Sequence, residues 1–405
     1  MYVSLRLKKL TLVAAAVILC AVVAAGGCAL YAVAREGEEE PQAQKDFIKW
    51  VDFGPTYEAM DKAMRLDIQS QTEEVKLNWI ELLAYQALQN GGNFKSAEAS
   101  QLDVVADKQR KGVTMEELTE SGKKYYDYYL EAYTAVLGEF VGEYEIEVKD
   151  EASPTGKRWE KKYGLKVFFP IAKGYGYSHY DDFGNSRSYG FRRKHLGNDI
   201  LGYIGTPIIA VEGGTVEALG WNQYGGWRIG IRSFDKKRYY YYAHLRKNFP
   251  FNKSLEEGSI VKAGDVIGYL GRTGYSTEEN VNNITQNHLH FGIQLIFDES
   301  QKEGNNEIWI DCYQIVKLLS RNRSAVWKNV ETKEYSRVYD IRDPEYPADI
   351  QPRTAPPPTT TQPTTAPATQ PETEQPATGE KGQKAAGPPQ NTQQQPSGTA
   401  AGQGP

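Results

Sequence analysis

The sequence predicts a mainly β domain of glycine-rich antiparallel hairpins forming a groove. A small α-helical domain precedes it, with an N-terminal transmembrane helix before that and a disordered tail after it. Three observations carry this expectation. Polar and apolar residues alternate strictly from His288 to Leu295, as in a half-buried strand. Apolar residues recur at helical spacing between Val75 and Phe140, with start and stop signals around them. Composition also shifts at both ends of the 405-residue chain, to an uncharged apolar run at Leu10–Ala34 and a stretch dominated by Pro, Thr, Gln, Ala and Gly from Gln351 onward.

Taken in order, residues 1–9 carry Arg6, Lys8 and Lys9, and Glu36, Glu38, Glu39 and Glu40 follow the apolar run. The positive-inside bias therefore puts 1–9 in the cytoplasm, makes 10–34 a single-pass anchor and places the rest outside the cell membrane. Two rival readings stay open. A cleaved signal peptide has a shorter apolar stretch, of about 7–15 residues. A lipoprotein signal at Cys28 would set Ala25 at the usual leucine position, and the run continues past Cys28.

Residues 35–149 read as an extracytoplasmic helical region. Val75–Leu88 is apolar on all sides and is stopped by Gly91-Gly92, and Thr114 with Glu117 makes a capping box ahead of a second long helix running through Tyr125, Tyr129, Ala132, Val136 and Phe140. Such helices need a common core, so a small bundle is expected, whose task is to shield a cleft, to bind a partner or to act as a spacer. Residues 150–165, polar and holding Pro154 and Gly156, read as a linker. Residues 166–347 form the β domain, with a short helix or strand extension at Trp309–Leu319. Residues 348–405 cannot bury a core and are expected to be disordered.

The candidate site rests on histidine. Catalytic zinc takes three protein ligands and keeps one position open. His195-Leu196-Gly197-Asn198-Asp199 offers an imidazole and a carboxylate from one tight bend, and His288 and His290 share a strand face with Gln294. Either of those two can be the third ligand while its neighbour faces the open position. His244 ends the run Tyr239–Tyr242, which puts Tyr240, Tyr242 and His244 on one strand face; the tyrosines themselves read as sheet packing. A lone histidine is more often a satisfied core or surface residue than a ligand, and His179, without a partner at ligand spacing, is read that way, as a surface residue. The chain has five histidines, so the cluster uses all but one of them.

These residues carry a family resemblance. Phe168–Phe297 resembles the lysostaphin/LytM-type zinc metallopeptidases in its His-x-Gly-x-Asp motif (His195 to Asp199), its Tyr-x-His-Leu motif (Tyr242 to Leu245) and its His-x-His (His288 to His290), which follow in the family's order. The glycine-spaced hairpins at Gly205–Val216 and Val261–Gly274 match as well. The resemblance implies a β groove of the duplicated-hybrid-motif type and Zn2+ held by His195, Asp199 and His290. It also implies that His244 and His288 orient and deprotonate the attacking water and stabilise the transition state. The implied activity is a peptidoglycan endopeptidase that hydrolyses peptide cross-links of the bacterial cell wall. One departure is the longer polar loop Tyr275–Asn287, which is expected to border the cleft. The helical region looks similar to those of clostridial wall hydrolases.

Other classes are disfavoured. A formal net charge of −5 argues against nucleic acid as a partner. Of the three cysteines, Cys20 and Cys28 fall in the apolar run, which leaves Cys312 alone and excludes a thiolate zinc site or a disulfide scaffold. The competing function is a divisome or sporulation-type scaffold that uses a LytM-like domain to dock a cell-wall or sporulation protein. Degenerate members of that kind commonly lose zinc-site residues, and here all five are present.

Overall fold

The helical segment divides into five helices whose ends follow local chemistry. Helix α1 (Tyr57–Ser70) is capped by Thr56, whose hydroxyl accepts the Ala59 N–H. In α2 (Trp79–Asn90) the Asn78 carboxamide oxygen accepts the N–H groups of Ile80 and Glu81, and Gly91 closes the helix in the left-handed region at φ 57°. Helix α3 spans Gln101–Arg110, α4 is Met115–Thr119 behind the expected Thr114/Glu117 capping box, and α5 is Lys123–Leu137. The second long helix is thus interrupted by a 3-10 turn at Glu120–Gly122. Leu88 packs closely over the end of this turn, where a Cβ on residue 122 would lie 2.7 Å from Leu88 Cδ1. Tyr133, Leu82, Leu83, Leu102 and Val136 are fully buried between these helices, with Phe53 and Phe94 against the Tyr133 ring.

The computed structural model describes residues 47–347 except 96–98, 190, 305 and 345. The expected anchor at 10–34 and tail at 348–405 lie outside the described residues. Among the described residues no helix is long and apolar enough to cross a membrane.

The expected linker proves to be structured. Strands β1 (Val141–Lys149) and β2 (Lys157–Leu165) form a nine-pair antiparallel hairpin turned at Pro154 and Gly156. Its polar composition reads as linker in isolation, but opposite charges meet across the strands, Lys161 with Glu143 at 2.8 Å and Lys157 with Glu147 at 2.9 Å. Tyr163 also donates to the buried Asp67 of α1 at 2.8 Å.

The remaining strands are β3 (Ser178–His179), β4 (Ser186–Tyr189), β5 (Phe191–Lys194), β6 (Asn198–Leu201), β7 (Pro207–Ile209), β8 (Gly214–Asn222) and β9 (Gly226–Ser233). After them come β10 (Arg238–Ala243), β11 (Ile260–Val261), β12 (Val266–Tyr269), β13 (His288–Leu295), β14 (Ile308–Ile310), β15 (Val326–Lys328), β16 (Tyr335–Arg337) and β17 (Ile341–Arg342). The central antiparallel sheet runs β11-β8-β9-β10-β13-β6-β3, and β14 adds to the far end of β13. Strands β4 and β5 form a separate hairpin. Helix α6 (Tyr313–Leu319) follows β14, which resolves the expected extension into a strand and a helix.

Helices and sheet share one apolar cluster. A buried polar group also joins them. Arg238 on β10, fully buried, pairs with Glu212 and Asp235 at 2.8 Å each and donates to the Ala135 carbonyl of α5 at 2.7 Å.

Candidate metal centre

Strand register builds the site. β13 pairs with β6 so that His290 stands opposite Asp199 and His288 opposite Leu201. The chain passes from β5 to β6 through His195, Leu196 and Gly197, and this bend brings His195 back over its own carboxylate neighbour. Glycine is required there, because a Cβ at residue 197 would lie 2.6 Å from the Phe291 carbonyl oxygen and 2.8 Å from His290 Nε2.

Three donor atoms then face one another. His195 Nε2 lies 2.8 Å from His290 Nδ1 and 3.0 Å from Asp199 Oδ1, and His290 Nδ1 lies 3.3 Å from Asp199 Oδ1. Among the described residues these form the group able to hold a metal ion. Tetrahedral zinc with bonds of about 2.0–2.2 Å sets its ligands roughly 3.3–3.5 Å apart, so the triangle fits after outward shifts of a few tenths of an ångström. His288 stands further off, with Nε2 3.6 Å from Asp199 Oδ1.

His244 departs from the expected strand alternation. Tyr240 and Tyr242 are fully buried in the core, opposite Ile293 and Phe291. His244 would follow them, but it lies one residue beyond β10 with a left-handed φ of 63°, which turns its side chain into the cleft. Its Nδ1–H donates to the Thr273 carbonyl at 2.9 Å, leaving Nε2 for the site. His288 is fixed in the same manner by the Gln286 carbonyl at 2.8 Å. The two rings are 4.8 Å apart, centre to centre.

Asp182 carries no motif and was not anticipated. It lies in the loop between β3 and β4, nearly buried, and its main-chain carbonyl accepts from His195 Nδ1 at 3.1 Å. Its carboxylate lies 3.3 Å from the same nitrogen, accepts the Asp199 N–H at 3.3 Å and pairs with Arg187 at 2.8 Å. Arg187 in turn reaches Asp199 Oδ2 at 3.3 Å. This arrangement leaves His195 Nε2 and Asp199 Oδ1 for a metal, the outer support that ligating histidines commonly have.

The electrostatics suit a cation. Burial alone would raise the Asp199 carboxyl, but hydrogen bonds from His195 and His290 more than offset it and hold it far below the usual range. Burial likewise works to lower His195, yet Asp182 and Asp199 outweigh it and push it up to about 9 without a metal. Burial lowers His290 and, helped by the neighbouring imidazoles, His244.

The donor triangle lies in a cleft of about 740 Å³. Its lining residues fall between Arg187 and Trp309, so the helical region does not contribute to it. Of the long loop only Tyr275 reaches the cleft; Asn280 pins the rest by accepting from Trp227 Nε1 at 2.9 Å and from the Asn248 N–H at 2.8 Å. His179 is away from the cleft and, contrary to expectation, is half-buried, its ring 4.6 Å from that of Tyr313.

Residues 193–304, which hold the donor triangle and both further histidines, match the model of Peptidase family M23. This segment is a peptidase family M23 domain. The chain is 40% identical over 125 residues to the L-Ala–D-Glu endopeptidase of Bacillus subtilis, covering 31% of this chain and 37% of that protein. It is 33% identical over 102 residues to the peptidoglycan DD-endopeptidase ShyC of Vibrio cholerae, covering 24% of this chain and 20% of that one. The chain therefore spans well under half the length of these curated relatives. Among solved structures, the catalytic domain of lysostaphin from Staphylococcus simulans is 30% identical, with 35% of this chain and 92% of that chain covered and a TM-score of 0.28. M23 domains are zinc metallopeptidases, in agreement with the His195/Asp199/His290 group.

Proposed function

We propose that this protein is a membrane-anchored, extracytoplasmic zinc endopeptidase that hydrolyses peptides of bacterial peptidoglycan. The observation that carries the proposal is the joint placement of His195, Asp199 and His290 as a donor triangle with His244 and His288 beside it. His195, Asp199 and His290 would hold the zinc ion, which would supply Lewis acidity to acidify a water and polarise a carbonyl. The protein's own part is orientation and proton handling. Thr273 and Gln286 take the Nδ1 protons of His244 and His288, so both rings turn Nε2 to the cleft. One Nε2 accepts the proton of the attacking water, and the other, once protonated, donates to the developing oxyanion. Arg187 and Asp182 keep the His195 and Asp199 donors aimed inward. The activities of the relatives support a peptidoglycan substrate, and the charge pattern around residues 10–34 supports the anchor. A docking scaffold has no need of two imidazoles with their Nδ1 protons fixed toward main-chain carbonyls.

The test is zinc content and release of new amine ends from purified peptidoglycan by the full-length protein beside its His288→Ala variant. Stoichiometric zinc in both, with amine release by the unmutated protein alone, supports the reading. Zinc without cleavage on several wall types would overturn it in favour of a scaffold.

A further inference from the structure

Resting on the endopeptidase reading, one wall of the cleft points to substrate chemistry. Arg193 on β5 lies between two tyrosine rings, its guanidinium carbon 5.1 Å from the centre of Tyr224 and 4.9 Å from that of Tyr275. Tyr189 stacks on Tyr275 at 5.2 Å and 15°, which braces the sandwich from behind. Tyr275 also meets His244, at 5.9 Å between ring centres. The guanidinium is thus one aromatic ring away from a site histidine, a reach of roughly three residues of extended peptide.

Ring faces stabilise the charge of an arginine but leave its edge N–H donors without acceptors. Arg193 Nη1 is buried and has no hydrogen-bond partner. Among the described residues no carboxylate lies within ion-pair distance of Arg193, or of Lys194 and Arg228, which line the same cleft. Of the cleft's carboxylates, Glu303 is exposed and outside ion-pair distance of Arg193, and the other three are engaged elsewhere. Asp199 belongs to the donor triangle, Glu217 pairs with Lys302 at 3.0 Å, and Glu307 accepts from Trp309 at 2.7 Å. A planar guanidinium fork held by two rings, with an unmet donor in a cleft wall short of acid, suits a carboxylate, which takes two parallel N–H bonds.

We infer that Arg193 receives a free carboxylate of the substrate peptide, close to the scissile bond. The enzyme then selects acidic peptides over uncharged ones such as oligoglycine. Arg193 is a specificity residue, and Tyr224 and Tyr275 position it.

The experiment uses full-length protein and two fluorogenic peptides, one containing L-Ala–D-Glu with its carboxylate free and the other with that carboxylate converted to carboxamide. Cleavage is followed with the zinc-loaded protein, and binding is measured by calorimetry on zinc-free protein. The unmutated protein should favour the carboxylate peptide by about 10–100-fold in kcat/KM, the scale of leaving a buried donor unpaired. Arg193→Gln should reduce that preference to under about threefold, with the greater loss on the carboxylate peptide, and Arg193→Lys should restore part of it. Equal treatment of both peptides by the unmutated protein, or an equal loss on both with Arg193→Gln, overturns the proposal. Absence of all cleavage would strike the endopeptidase reading instead. In that case the binding preference alone upholds or overturns the role of Arg193.

Discussion

Replacing Asp182 by alanine tests whether the loop before β4 tunes the metal centre. The substitution removes the carboxylate that pairs with Arg187 at 2.8 Å, accepts the Asp199 N–H at 3.3 Å and lies 3.3 Å from His195 Nδ1. It leaves the main-chain carbonyl of residue 182, which accepts from His195 Nδ1 at 3.1 Å. Losing an outer partner of a ligand typically costs 10–100-fold in metal affinity. Because the carbonyl still fixes the imidazole, the lower end applies, about tenfold or about 1.4 kcal/mol. The freed Arg187 remains beside Asp199 Oδ2, the oxygen turned away from the donor triangle, so the carboxylate stays ionised. The assay is competition with a fluorescent zinc chelator, with circular dichroism to verify the fold. Affinity within about twofold of the parent would refute the supporting role of the carboxylate. A loss as complete as that of His195→Ala would refute the claim that the carbonyl holds the ring.

Four further outcomes are expected. His195→Ala and Asp199→Ala should lose both zinc and amine release, whereas His288→Ala should keep zinc and lose about 10²–10⁴ in kcat, as removal of an acid–base group does; elemental analysis with end-group assays separates these. Gly197→Ala should weaken zinc binding by pushing the added methyl against His290, read by the same chelator competition. Arg238→Leu strands the buried Glu212 carboxylate and should cost about 3–5 kcal/mol in urea unfolding; a cost under about 1 kcal/mol would show that the pair is not integral. Burial lowers His179, with Lys317 adding to the effect, so between its folded value and about 6.5 the unfolded chain binds the extra proton. Its share of stability is therefore full above that unfolded value and is lost as pH falls through the folded one. His179→Phe should flatten the fall in unfolding free energy as the pH is lowered through about 6.5.

What the sequence made legible is what lies close together along it. The His195–Asp199 bend and the His288–His290 strand are each a few residues long, so period and glycine placement locate them, and their meeting across β6 and β13 agrees with the family pattern. Asp182 escaped because it reaches His195 across thirteen residues and a hairpin, with no local signature. His244 lines the cleft beside the donor triangle and not on the face that alternation gives it, since alternation cannot foresee a left-handed residue at a strand end. The β1–β2 hairpin was missed because cross-strand charge pairs look like a solvated linker until the partner strand is in view. The shared core of helices and sheet was equally hidden. An apolar helix face does not say which surface will cover it.

The join between helices and sheet has a mechanical consequence. Arg238 grips the last turn of α5 from inside the sheet, Gln301 donates to the Ile48 carbonyl at 2.7 Å, and the Tyr57 N–H reaches Gln314 at 3.0 Å. A pull applied where the described chain begins, at Phe47, would therefore be passed through these contacts to β10 and to the segment after β13. In the anchored protein we propose, the groove and the helices would then move together as one load-bearing unit.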